Sequence, residues 1–240
     1  VSRSILDWPE FATSELDTTR PCFSTNGQCI VYTSRAKDLT PVPDFNLDTD
    51  VFLCDLATGT NWLISVNQTG TAAGDAYSAS PAISANGCFV AFQSDASDLV
   101  ANDAGNTSDV FVRDLPHANT LLISVNVTGT GGGDDYSGSP FISADGRHVV
   151  FESRATNLVS VPDTNNVMDV FWRDRNAGTT RLVSVNQAGT APGNRVSVVL
   201  GVSADGRFVL FASLAGDLVS NDTNNETDIF LRDMAAGGTE

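Results

Sequence analysis

Short runs of β-branched and aromatic residues recur along the chain, with polar and turn-forming residues between them. The most regular run opens on an aspartate and continues with apolar residues, and its copies start at Asp50, Asp109, Asp169 and Asp228. Successive starting points are 59, 60 and 59 residues apart. No segment has the 3.6-residue period of an amphipathic helix. A strand-type pattern at one fixed period predicts a repeat architecture such as a propeller.

Each copy of the repeat contains four candidate strands. An Asn-Gly or Asp-Gly turn precedes the second strand, at residues 25–27, 85–87, 144–146 and 204–206, and such turns between apolar runs are the strongest short hairpin signal. The second strands begin at Cys29, Phe89, His148 and Phe208, and the third strands begin at the four aspartates. A short turn then leads to the predicted fourth strands at 63–67, 122–126 and 182–186.

Four short antiparallel strands per repeat predict an all-β fold, a β-propeller with four blades in a single domain over residues 1–240. The repeats cover residues 18–67, 77–126, 137–186 and 196–240. The fourth repeat contains no fourth strand, and residues 1–6 match that position, so we expect the N-terminal strand to complete the last blade and close the ring. The alternative is an arc of a propeller with six or seven blades, whose open edges would favour oligomers.

A long acidic loop joins the second strand to the third in every repeat. Oxygen-bearing side chains occupy alternate positions in these acidic loops, at Asp44, Asn46, Asp48 and Asp50, at Asp103, Thr107 and Asp109, at Asp163, Asn165 and Asp169, and at Asp222, Asn224, Glu226 and Asp228. Calcium prefers six to eight oxygen ligands and tolerates irregular geometry. The pattern predicts one calcium site per blade, strongest in the first loop and weakest in the second, which has Gly105 at its middle position. The other interpretation is that these residues form Asx-turns at the entry to the third strand.

Charge and composition narrow the classes of partner. Thirteen Lys and Arg residues against 29 Asp and Glu residues give a net charge of −16, which excludes an extended nucleic-acid interface and favours cations. No apolar run approaches the ~20 residues of a membrane-spanning helix, so no membrane insertion is expected. The two histidines lie at unrelated positions of the repeat, and no catalytic triad can be assembled from them.

Two other residue types stand out. Four cysteines, all in the first half of the chain, follow neither the repeat nor a metal-binding spacing, and their pairing stays open. An arginine recurs on the third strand, at Arg113, Arg173 and Arg232. We interpret these arginines as edge-strand charges or ion pairs between blades, and not as a site.

One family resemblance is carried by the repeat as a whole. The string SxSPxISADGRxVxFxSxAxxLV, followed by DTNxxxDVFxRDxxxGTTxLVSVN, is most complete over residues 137–186 and weakest in the first copy. It resembles the TolB-like propeller repeat of bacterial extracytoplasmic proteins. The resemblance implies a propeller fold and a secreted, periplasmic or cell-surface location. It does not define a function, because this repeat serves binding proteins, scaffolds and some enzymes.

We therefore expect a non-enzymatic, calcium-binding propeller that serves as a binding or scaffold module. Its partner, a protein or a glycan, would bind the acidic face that carries the long loops, because binding residues concentrate on loops held by a rigid scaffold. Two alternatives remain. One is a carbohydrate-active hydrolase or lyase that uses carboxylates of this face. The other is a structural subunit of a surface layer or filament.

Overall fold

The computed structural model describes residues 21–103, 105, 107–163, 165–224 and 226–240. These residues form four antiparallel sheets, one for each repeat, which we number blades 1 to 4. The all-β propeller prediction is confirmed. The strand predicted to close the ring, residues 1–6, lies outside the described residues, so ring closure stays a prediction.

In blades 1 to 3, the strands of each sheet are hydrogen-bonded in chain order. Blade 1 contains β1 (Cys22–Phe23), β2 (Cys29–Ser34), β3 (Asp50–Asp55) and β4 (Thr60–Leu63). Blade 2 contains β5 (Ser78–Ile83), β6 (Phe89–Ser94), β7 (Asp109–Asp114) and β8 (Asn119–Leu122). Blade 3 contains β9 (Ser137–Ile142), β10 (His148–Ser153), β11 (Asp169–Asp174) and β12 (Thr179–Leu182). Blade 4 contains β13 (Ser197–Val202), β14 (Phe208–Ser213) and β15 (Asp228–Asp233), with an isolated bridge from Arg232 to Thr239.

The second and third strands start where the sequence predicts, but the fourth strands do not. They end at Leu63, Leu122 and Leu182, the residues at which they were predicted to begin. In blade 1 the cause is Ser65, whose hydroxyl turns back to accept the Val51 N–H at 3.0 Å. The chain leaves the sheet there because the serine side chain, and not a continued ladder, satisfies that backbone donor.

The hairpin turns connect neighbouring blades as well as strands. Gly87 and Gly146 have φ values of 74° and 74°, as the turn prediction requires. The turns are joined in series: the Ala85 N–H donates to the Ala144 carbonyl at 3.0 Å, and the Ala144 N–H donates to the Ala204 carbonyl at 2.9 Å. This chain of backbone hydrogen bonds holds the blades in a regular stack at the turn end.

The hydrophobic core lies between the blades, with one layer of buried side chains for each pair of neighbouring blades. Between blades 2 and 3, Val110 and Val112 of β7 pack with Phe151 and Phe171, and all four are buried. Similar clusters lie between blades 1 and 2 and between blades 3 and 4. The strict alternation along each strand places one apolar face toward each neighbouring blade.

Blade 4 presents one such face to solvent. Leu210 and Ile229 are 40% and 60% exposed. Their counterparts in blade 3, Val150 and Val170, are fully buried against blade 4. The exposed face therefore has the composition of the internal contacts between blades.

Two further features concern the described residues as a whole. They contain no helix that could span a membrane. They contain no disulfide, and the four cysteines are Cys22, Cys29, Cys54 and Cys88.

Candidate cation sites in the acidic loops

Each acidic loop ends on the aspartate that opens the third strand of its blade. In blades 1 to 3 this residue is Asp50, Asp109 or Asp169, and each is at most 1% exposed. The position is buried because the strand enters the core directly after it. A carboxylate at such a place needs partners for both oxygens, since desolvation penalises an unpaired charge.

A serine supplies a partner for the first oxygen. Oδ1 accepts a hydrogen bond from the hydroxyl of Ser65 in blade 1, Ser124 in blade 2 or Ser184 in blade 3, at 2.6, 2.5 and 2.6 Å. The same hydroxyl accepts the N–H of the valine that follows the aspartate, at 3.0, 2.9 and 3.0 Å. The aspartate is thus fixed in orientation, with its second oxygen directed elsewhere.

The second oxygen is differently placed in the three blades. Oδ2 of Asp50 and of Asp109 is buried and has no hydrogen-bond partner among the described residues. Oδ2 of Asp169 accepts from Nδ2 of Asn165 at 2.9 Å. In blade 3 the buried oxygen without a partner among the described residues is instead Oδ2 of Asp163, so each of the three loops contains one such carboxylate oxygen.

Burial raises the pKa of all three carboxyls to about 7. Desolvation is the main cause, and the serine hydrogen bond opposes it. The Asn46 amide beside Asp50 and the Gly133 N–H beside Asp109 also lower the pKa, although neither meets hydrogen-bond geometry with Oδ2. The first aspartate of each loop raises the pKa further by charge repulsion, through Asp44 on Asp50 and Asp103 on Asp109. This repulsion shows that the two carboxylates of a loop lie near each other.

The middle of the loop forms Asx-turns in blades 1 and 3. In blade 3, Oδ1 of Asp163 accepts the Asn165 N–H at 3.1 Å, and Oδ1 of Asn165 accepts the Val167 N–H at 2.9 Å. Nδ2 of Asn165 also donates to the Gly193 carbonyl at 2.7 Å. In blade 1, Asn46 likewise donates to a glycine carbonyl of the next connection, that of Gly74, at 2.5 Å. The asparagines therefore brace the acidic loop against the glycine-rich connection to the next blade.

Blade 2 has Gly105 in place of this asparagine. Two further oxygens there, Oγ1 of Thr107 and Oγ of Ser108, are buried and lack partners. A Cβ placed on Gly105 would lie 3.4 Å from Oγ1 of Thr107 and 3.6 Å from Oδ1 of Asp103. Together with Oδ2 of Asp109, this loop contains the largest set of unpartnered buried oxygens of the described loops. The predicted ranking, with this loop weakest, stays a prediction.

Blade 4 differs from the other three. Asp228 is only half-buried, and its Oδ2 accepts from Nδ2 of Asn224 at 3.0 Å. The Glu226 N–H donates to Oδ1 of Asn224 at 2.8 Å, while Asp222 lines a shallow pocket beside Asp228. This loop is the most open of the four.

No group of three or more His, Cys, Asp or Glu side chains in the described residues has the arrangement of a metal site. A cation in these loops would take its remaining ligands from hydroxyls, amides and backbone carbonyls, which calcium accepts. The role of the three serines was not predicted from the sequence. Their signal was present, because each lies 15 residues after its aspartate in three repeats.

Comparison with known proteins gives similarity at the level of fold. No protein-family model and no curated protein matches the sequence. Among solved structures, TolB from Acinetobacter baumannii superposes with a TM-score of 0.52 at 15% identity, covering 92% of this chain and 42% of that one. A putative TolB from Agrobacterium tumefaciens gives 0.54 at 15% identity, covering 91% and 62%.

The β-propeller domain of the Trilobed protease from Pyrococcus furiosus, described as having an open velcro topology, gives a TM-score of 0.51 at 12% identity and covers 92% and 55%. The chain thus spans less than two thirds of the length of each of these proteins. The chain has a TolB-like β-propeller fold.

Proposed function

We propose that this protein is an extracytoplasmic, calcium-binding β-propeller that acts as a binding or scaffold module and not as an enzyme. Its partner would be a protein or a glycan on the acidic face. The observation that carries the calcium proposal is the buried, serine-fixed aspartate whose second oxygen has no partner, in Asp50 and Asp109.

An unpartnered carboxylate oxygen inside a protein is costly, and two ligands can relieve the cost. One is a proton, which the raised pKa of about 7 favours in acidic solution. The other is a cation, which becomes the stronger ligand once the carboxyl is ionised. The neighbouring carboxylate of Asp44 or Asp103 adds negative charge and so favours a divalent cation. Calcium fits the irregular oxygen set better than magnesium, which requires near-octahedral geometry.

The repetition of the site supports a structural and binding role. Equivalent carboxylates at the same position of every blade would stabilise the loops of the whole acidic face, whereas catalysis needs one asymmetric centre. The neighbouring folds include TolB and the propeller domain of a protease. Both the binding function and the extracytoplasmic location are proposals for this chain.

A thermal-unfolding series tests the calcium proposal. At pH 8 we expect 10 mM CaCl₂ to raise the Tm relative to excess EDTA, and MgCl₂ to raise it much less. The double variant Asp50→Asn with Asp109→Asn should lose most of the calcium effect. Its matched control changes the aspartates at the other ends of the same strands, Asp55→Asn with Asp114→Asn, and should keep it. An equal Tm in EDTA and calcium would remove the calcium proposal.

Binding and catalysis are separated by two assays on the calcium-loaded protein. A glycan array and a pull-down of extracellular proteins report binding, and a polysaccharide digestion assay reports product release. We expect retention of a ligand without turnover. Release of oligosaccharides from any polysaccharide would overturn the non-enzymatic assignment in favour of a carbohydrate-active enzyme.

A further inference from the structure

A groove beside the outer strand of blade 3 has a chemistry unlike the rest of the protein. Its volume is about 690 Å³, within the size range of ligand sites. It is lined by all of β12, by residues 125–129 and 158–161, and by arginines from two blades. Valine and leucine side chains make up its apolar part, and threonine, serine and asparagine its polar part.

Three arginines line this groove: Arg173 on β11, Arg181 on β12 and Arg232 on β15. Among the described residues, none of them forms an ion pair with a carboxylate. Arg173 donates instead to Oγ1 of Thr180 at 2.7 Å, and Arg232 to Oγ1 of Thr239 at 2.8 Å. Of the two interpretations made from the sequence, edge-strand charges and ion pairs between blades, the described residues show no such ion pair for these two arginines.

Arg181 and Arg232 place two positive charges near each other in the groove. Nε of Arg232 is buried and has no hydrogen-bond partner in the part of the chain that the structure describes. Burial lowers the pKa of Arg232, and the charge of Arg181 lowers it further. Two guanidinium groups held close together without an anion form an attractive place for a carboxylate, which can accept from both.

The backbone of β12 offers a second type of contact. Among the described strands it pairs with β11 alone and forms the outer edge of the blade 3 sheet. The Val183 N–H donates to the Val170 carbonyl, so by the antiparallel alternation Arg181 pairs with Trp172, and the backbone groups of Thr180 and Leu182 point away from the sheet. An extended chain laid along β12 would satisfy these outward-pointing groups.

The arginines lie on both faces of such an extended sheet. Arg173 is the cross-strand partner of Thr180, so its side chain is on one face. Arg181 is the partner of Trp172 and reaches the Met234 carbonyl of blade 4, so it is on the other face with Arg232. Consecutive residues of an added strand also point to opposite faces. Two adjacent acidic residues would therefore each meet an arginine.

We propose that this groove binds an extended acidic peptide segment of a partner protein, which adds to β12 as an edge strand and places adjacent carboxylates on Arg173 and on Arg181 with Arg232. The charge of the groove opposes the net charge of −16 of the chain, which explains how an acidic protein would select an acidic partner segment at this one place. The proposal does not depend on calcium binding in the acidic loops.

The test is fluorescence anisotropy with a fluorescein-labelled peptide of sequence TVEEVT, measured in calcium and in EDTA at a temperature where the fold is intact by circular dichroism. Two probes control for charge and pairing: TVQQVT lacks the carboxylates, and an N-methylated TVEEVT lacks the backbone donors. We expect saturable binding of TVEEVT in both buffers and at least tenfold weaker binding of either control.

Arginine variants locate the site. Arg181→Gln and Arg232→Gln should each weaken TVEEVT binding about tenfold or more, because each removes charge-assisted hydrogen bonds. Arg113→Gln is the matched control, since Arg113 makes the same contact with a threonine, Thr120, in blade 2 but lies outside the groove. It should leave binding unchanged.

The proposal is overturned if TVEEVT does not bind saturably, if TVQQVT binds as well, or if Arg113→Gln weakens binding as much as Arg232→Gln. Binding of a polygalacturonate oligomer at the arginines without binding of the peptide would also overturn it, in favour of an acidic glycan. If calcium does not raise the Tm of the wild-type protein but TVEEVT still binds, the proposed calcium-binding function is refuted and this inference still stands.

Discussion

The raised pKa values of the buried aspartates make the stability of the calcium-free protein depend on pH in an unusual direction. Asp109 has its pKa raised from 3.8 to about 7, mainly by burial. The folded state therefore holds a proton that the unfolded state has released. The stability that this proton provides is complete below pH 3.8 and is lost as the pH rises through about 7.

The size of this loss of stability follows from the pKa values of the folded and unfolded states. Between the two pKa values, each such carboxyl reduces the free energy of unfolding by about 1.4 kcal/mol per pH unit. From pH 5 to pH 7, Asp109 alone accounts for a loss of about 2 kcal/mol. Asp50 and Asp169, whose pKa values are also about 7, add losses of similar size.

Urea denaturation in EDTA at pH 5 and pH 7 measures this loss directly. The variant Asp109→Asn cannot take up the proton, so its loss over this range should be smaller than that of the wild type by about 2 kcal/mol. The control Asp55→Asn, at the far end of strand β3, changes a carboxylate that accepts backbone N–H groups of its turn, and it should behave as the wild type. Taking the difference between variants cancels the contributions of all other titrating groups.

Calcium should oppose this loss of unfolding free energy, because it can bind the carboxylate after the proton has left. For a site of the affinity of extracellular modules, 10 mM calcium adds about 1 to 3 kcal/mol at neutral pH. The effect should be smaller at pH 5. If the wild type and Asp109→Asn lose the same stability from pH 5 to pH 7 in EDTA, the reasoning about this buried carboxyl is wrong.

Three further predictions concern the scaffold. Ser124→Ala removes the donor to Asp109 and should cost about 1–3 kcal/mol of unfolding free energy by urea denaturation; a loss below a few tenths would show that the serine does not fix the aspartate. Gly146→Ala should destabilise more than Gly129→Ala, since both have positive φ but only the first would bring its Cβ against the Phe89 ring; equal Tm values would contradict this packing. Because the described residues contain no disulfide, dithiothreitol should leave the Tm unchanged, and a fall would reveal a disulfide.

The fold was largely predictable because the same pattern of strands and turns occurs in four copies of the repeat. The turn glycines, the apolar alternation and the opening aspartate recur together, so errors in one copy are corrected by the others. The fourth strand was misplaced for a local reason: Leu63 to Val66 continue the apolar pattern, but Ser65 bonds to the backbone of β3 and takes the chain out of the sheet. Pattern alone does not distinguish a strand residue from such a serine.

The candidate cation sites were predictable only in part. The alternating Asp and Asn residues identified the loops, but not which carboxylate is buried. That property depends on the serine 15 residues later and on the glycine-rich connection, where a Cβ on Gly132 would meet the carboxylate of Asp109. The arginine groove could not be found from sequence, because Arg181 and Arg232 belong to different blades and meet only when the sheets stack.

The most direct test of the calcium claim is isothermal titration of CaCl₂ into the calcium-free protein at pH 8, with Asp50→Asn plus Asp109→Asn compared against Asp55→Asn plus Asp114→Asn. We expect saturable calcium binding to the wild type and to the control, and at least two fewer ions bound to the variant that lacks the buried carboxylates. No heat of binding for the wild type, or the same number of bound ions in both double variants, would contradict it.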